Sequence, residues 1–92
     1  MSITVEHKPD EQQFQTRAEG HLAHLDYRRD ADVLTLEHTE VPAALEGRGI
    51  GSSLAREALE FARREKLKVL APCSFVAAYI ERHPEYQSLL AE

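Results

Sequence analysis

Apolar side chains recur at every second position early in the chain, and the period later changes to steps of three and four. Ile3, Val5 and His7 alternate with Thr4 and Glu6, and Pro9-Asp10 supplies a turn. Phe14, Thr16 and Ala18 form a second alternating set, closed by Glu19-Gly20. Ala23, Leu25 and Tyr27 share one face of a third, which ends at Arg29-Asp30-Ala31-Asp32. Val33-Leu34-Thr35-Leu36 opens a fourth that runs on through Glu37, His38 and Thr39. Turns this short predict antiparallel neighbours. Pro42 ends the strand region, because proline has no N–H for a ladder. From Gly49 onward, Ile50, Leu54, Ala58, Phe61 and Ala62 fall on one side of a helix, with Arg56, Glu57, Glu60, Arg63 and Arg64 around the rest. The run 67 to 71 reads as a fifth strand that stops at Pro72. Ser74 is a candidate cap for a second helix whose apolar side is Phe75, Val76, Tyr79 and Ile80. His83-Pro84 breaks that helix and begins a last turn through Leu89-Leu90.

This order predicts an α+β fold: a mixed, mostly antiparallel sheet of about five strands, with a central amphipathic helix after the fourth strand and a C-terminal helix. The passage from 33 to 71 should be a parallel, right-handed crossover. No linker, repeat or low-complexity stretch interrupts the pattern, so 1–92 is expected to be a single domain.

Charge and composition narrow the partners. A formal charge of −5 argues against nucleic acid, whose phosphates attract cationic surfaces. Local basic groups at Arg28-Arg29 and Arg63-Arg64-Glu65-Lys66 still admit a small anionic ligand. No apolar run reaches bilayer length, and Met1 to Glu6 lacks the layout of a secretion signal. A cytoplasmic protein without membrane contact is the expectation. Cys73 is the single cysteine, which excludes an intramolecular disulfide framework and a thiolate-rich metal site. The histidines at 7, 21, 24, 38 and 83 show no ligand spacing, and His21 and His24 fall on opposite sides of a strand. No metal is expected.

The stretch Glu46-Gly47-Arg48-Gly49-Ile50-Gly51-Ser52-Ser53 joins a strand region to an amphipathic helix. Glycines on alternate positions remove β-carbons that would hold a ligand away from the backbone. The first amides of the helix lack intrahelical partners and can point at an anion, and Arg48 can add a charge-assisted contact. A Walker loop requires Lys then Ser or Thr after its last glycine, whereas Gly51 is followed by Ser52-Ser53. The dinucleotide fingerprint requires a glycine where Ser52 stands. A turn that uses glycine for geometry alone is the plain alternative.

With these residues in view, the chain resembles the GCN5-related N-acetyltransferase superfamily, and within it the compact branch of roughly a hundred residues. The similar blocks are His38-Thr39-Glu40-Val41-Pro42, Glu46-Gly47-Arg48-Gly49-Ile50-Gly51, Cys73-Ser74-Phe75-Val76 and Tyr79 through Tyr86. Glu46 departs from the Gln or Arg that the superfamily signature usually carries. The resemblance implies acetyl-CoA or another acyl-CoA as cosubstrate. It also implies a pantetheine arm along the backbone of Thr39 to Val41, and a pyrophosphate on amides around Glu46, Gly47, Arg48, Gly49, Ile50, Gly51 and Ser52. The implied acceptor is a primary amine, on a protein lysine or a small molecule.

Acetylation of an amine needs a neutral amine, a polarised thioester and a proton for the departing thiolate. His38 and Glu40 lie two residues apart at the end of the fourth strand and can drain the amine's proton; a solvated strand end is their plain reading. Cys73, just before a helix, has two chemical readings, as acyl carrier or as acid toward the leaving thiol, beside that of an inert buried thiol. On the resemblance, Tyr79 is the other candidate acid and Arg82 and His83 can reach phosphates; Tyr79 equally suits the core. An N-acyltransferase therefore leads. The alternatives are a CoA-binding module with little or no catalysis, and an interaction protein whose glycine turn is structural.

Overall fold

The alternating half of the chain builds one sheet. In the computed structural model, which describes residues 3–91, β1 (Glu6–Lys8), β2 (Gln13–Ala18), β3 (His21–Asp30) and β4 (Val33–Glu40) pair antiparallel in sequence order. β5 (Lys68–Leu70) joins the far edge parallel to β4, after the crossover through α1 (Ile50–Glu65). α2 (Ser74–Arg82) then packs against α1 and β4. The first strand is shorter than the alternation suggests. Ile3 and Val5 pack on the core from outside it, and Pro9 opens a 3-10 turn, Pro9–Glu11.

One face of the sheet is apolar, and Phe14, Ala23, Leu25, Tyr27, Leu34 and Leu36 bury it. Opposite them α1 buries Ile50, Leu54, Ala55, Ala58, Leu59 and Ala62. That stripe is wider than the one read from the sequence, since Ala55 and Leu59 belong to it and Phe61 sits at its margin. Phe61 instead closes an aromatic group, edge-on to His7 at 4.6 Å, while His7 stacks on Phe14 at 4.2 Å. The helix ends because Lys66 adopts a left-handed conformation, φ 59°, and its N–H reaches back into the last turn.

The chain end locks the second helix. Tyr86 is buried and its hydroxyl donates to Glu60 Oε2 at 2.6 Å. Burial, with the Glu60 carboxylate adding to it, pushes this phenol up to about 12. Tyr86→Phe should therefore cost about 1–2 kcal/mol at neutral pH, seen in denaturant melts. The folded value lies above the unfolded one, so this contribution is complete below about pH 10 and fades as pH rises toward about 12. The gap between wild type and variant should close over that window. No helix among the described residues is long and apolar enough to cross a membrane.

Candidate functional site

At the start of α1, Gly47 and Gly49 take φ values of 82° and 79°, a region that penalises every side chain. These two turns bring the chain round so that the open end of α1 faces outward. Gly49 caps the helix without any side-chain hydrogen bond, and the first intrahelical bond runs from Ser53 N–H to Gly49 C=O at 3.0 Å. The amides of Ile50, Gly51 and Ser52 therefore have no acceptor within the helix. No acidic residue occupies the first turn. An open groove of about 190 Å³ lies here, bounded by Val41, Glu46, Gly47, Gly49 to Ser52 and Phe75. A larger depression of about 490 Å³, by His7, Tyr27 and Phe61, has no free helix end on its walls.

Two parts of this corner differ from the expectation. A β-carbon on Gly47 or Gly49 would meet open space, but one on Gly51 would fall 2.8 Å from Cζ of Phe75. The third glycine thus accommodates a ring, and Phe75 is a partly exposed wall of the groove rather than core. The Arg48 guanidinium is engaged by Glu19, at 2.6 Å and 3.1 Å, across the β2–β3 turn. That fork holds the Glu19 carboxyl below its usual range. The Arg48 side chain is therefore paired with Glu19, and Arg48 does not line the groove.

Cys73 occupies the position before α2, where Ser74 was the expected cap; Ser74 is the first helical residue, and Cys73 makes no capping bond through its side chain. β4 and β5 pair only from Val33–Lys68 to Thr35–Leu70, and beyond this the two chains part. Cys73 N–H bridges to Leu36 C=O at 3.4 Å, and its half-buried sulfur lies 3.5 Å from Thr39 Oγ1. The sulfur therefore faces the side of β4 that Thr39 presents.

A bulge decides what the other side presents. Tyr27 pairs with Leu36 and Asp26 with His38, so Glu37 is an extra residue on β4. Before it, Leu34 and Leu36 point into the core; after it, Thr39 opposite buried Leu25 takes the inward role. His38 and Glu40 turn to the polar outer face, with Glu40 Oε1 3.5 Å from His38 Nε2. His38 and Glu40 are brought together, and on the opposite sheet face from Cys73.

Tyr79 is not brought to Cys73. Its ring is 5% exposed, stacks on His83 at 3.9 Å and sits 6.2 Å from Tyr86. Burial pushes its phenol up, with Arg56 opposing. His83 Nδ1 donates to Tyr79 C=O at 2.8 Å, which ties this ring to α2 rather than to the groove. Sequence reasoning named Val41 and Glu46 to Ser52, all of which but Arg48 line the groove, took Thr39 for its backbone alone, and missed the groove role of Phe75. The position of Phe75 four residues before Tyr79, on the stripe facing α1, was the available signal.

The family model for GCN5-related N-acetyl-transferase matches residues 13–89. Protein NATD1 of Xenopus tropicalis is 38% identical over 91 residues, covering 96% of this chain and 84% of the relative. The human protein of the same name is 39% identical over 90 residues, covering 95% and 80%. A GCN5-like protein from Staphylococcus aureus, solved by NMR in solution, has a TM-score of 0.74 at 31% identity, covering 96% of this chain and 87% of that one.

Proposed function

The chain belongs to the GCN5-related N-acetyltransferase family, and from that premise we propose that it moves an acetyl group from acetyl-CoA to a primary amine. One observation carries the reading. A groove with Val41 on its wall lies against the glycine turn at the start of α1, where the first three helix amides have no intrahelical acceptor. Such amides suit a pyrophosphate, since the helix dipole and the N–H groups act together. The free margin of β4 from Thr39 to Val41 suits an extended pantetheine arm, which would bond it as an added strand does.

In this reading the amine nitrogen attacks the thioester carbon, the C–N bond forms and the C–S bond breaks. The amine approaches from the outer face of the sheet, where Glu40 and His38 accept its proton, while Cys73, on the inner side of β4, deals with the sulfur end. Either Cys73 donates its proton to the leaving thiolate, or its thiolate first takes the acetyl group and passes it on to the amine. The acceptor is a lysine side chain or a small amine, and the setting is the cytoplasm.

A second reading, CoA binding with little catalysis, draws on Tyr79, which is packed between His83 and Tyr86 and leaves no tyrosine at the sulfur. Acetyl-CoA at a hundred times its Kd should add about 2.7 kcal/mol to stability. For a chain of this size that is about 10 °C or more in Tm, and ATP should give much less. A null shift removes both ligand-dependent readings. Release of free CoA over a panel of primary amines separates them, because the binding module shifts without turnover.

A further inference from the structure

We infer that His24, oriented by Asp26 on the outer face of β3, is a positioning residue beside Glu40 that takes the proton on from it. The inference rests on the acetyl-transfer reading above. It starts from the bulge that sets Glu40 directly across from His24 and His38 across from Asp26. Without that extra residue, Glu40 and His38 would continue the inward face of Leu34 and Leu36 and never meet this pair.

The contacts give the arrangement a direction. His24 Nδ1 lies 2.9 Å from Asp26 Oδ1, and Gln13 Nε2 donates to the same oxygen at 2.7 Å. The distance from Gln13 Nε2 to His24 Nδ1 is longer, 3.4 Å, so the carboxylate oxygen is the shared acceptor and the ring proton belongs on Nδ1. Gln13 is itself held, since its Oε1 accepts from Gln15 Nε2 at 2.6 Å. Gln15 is 3% exposed and also donates to Glu11 at 3.1 Å. Two amides and a carboxylate thus fix one imidazole, whose side chain is only 20% exposed. The remaining lone pair, on Nε2, looks toward Glu40 Oε1 at 4.0 Å. Glu40 is 63% exposed, so a rotamer step or one water can close that gap.

The proton steps balance. The ammonium of the acceptor gives a proton to the Glu40 carboxylate and becomes the neutral nucleophile. The Glu40 carboxyl passes the proton to His24 Nε2, which restores the carboxylate and makes an imidazolium flanked by Asp26 and Glu40. The ring then releases the proton to solvent. Among the described residues, the groups facing His24 are Gln13 and Gln15 from β2, Asp26 on its own strand, and His38 and Glu40 from β4. Sequence reasoning paired His38 with Glu40 but did not join His24 and Asp26 to them. The signal was there, as His24 and Asp26 alternate with Leu25 on a strand whose other face is core.

The test uses His24→Gln and Asp26→Asn, both on the solvent side of the sheet. Each should lower kcat about tenfold or more, with acetyl-CoA Kd and Tm held. Imidazole nitrogen NMR of the wild type should find the neutral His24 ring protonated on Nδ1. Wild-type turnover with unchanged variants overturns the relay alone, and an Nε2–H ring overturns it whatever the activity. A wild type without turnover on any amine overturns the parent reading and the relay together.

Discussion

Gly49→Val should abolish acetyl-CoA binding and lower stability at the same time, and a matched control separates the two losses. Gly49 sits at φ 79°, where a β-carbon meets the following carbonyl and costs about 1–2 kcal/mol, more for a β-branched side chain. Nothing within 4 Å would obstruct the new β-carbon, so the folded chain accepts the residue at the price of that strain alone. The isopropyl group would then stand at the edge of the groove, beside the amides of Ile50, Gly51 and Ser52. Hydrogen bonds from amides to a charged acceptor contribute about 1.5–3 kcal/mol each, so losing two of them weakens binding by about a hundredfold or more. Gly20 has nearly the same backbone, φ 78°, and equally open space, but lies at the β2–β3 turn. Gly20→Val should show the same drop in Tm with calorimetric affinity intact. Equal affinity in the two variants would remove the helix end from the binding site.

Cys73→Ala is the second large effect. With the thiol at the divergence of β4 and β5 and Thr39 at 3.5 Å, the proposal gives the sulfur a part in every turnover. The variant should lose about a hundredfold or more in kcat, since a positioned acid or nucleophile contributes on that scale. Affinity for CoA should hold, because the groove lining does not include Cys73. Intact mass after acetyl-CoA then distinguishes the two roles. A single acetyl increment in wild type, lost in Cys73→Ala, identifies a carrier; lost turnover with no increment identifies an acid. Full activity in Cys73→Ala would return the residue to ordinary packing beside Leu36.

Most of the fold was legible because both periods were clean. The alternations at Phe14 to Ala18 and Ala23 to Tyr27 became β2 and β3, and the step of three and four after Gly49 became α1. The misplacements fall where the period is short or the neighbours decide. Ile3 and Val5 are apolar on alternate positions, yet only Glu6–Lys8 finds a ladder against Gln13 to Gln15. Phe75 has the spacing of a core residue, but Gly51 leaves a flat seat for its ring at the helix end. Arg48 is well placed in sequence for a phosphate, and a carboxylate twenty-nine positions earlier meets it first.

The phosphate corner was readable residue by residue because it is local. Glycines at 47 and 49 and the start of an amphipathic helix lie within one turn of each other, and their backbone demands need no distant partner. The apolar faces were readable for the same reason, since burial selects side chains by period. What only the tertiary structure decided is the facing of β4 and everything that follows from it. One unpaired residue, Glu37, switches the faces that alternate side chains of β4 take, sends Thr39 toward Cys73 and turns His38 and Glu40 toward His24 and Asp26. A bulge is a mismatch in length between two paired strands, and that mismatch exists only once β3 and β4 have met.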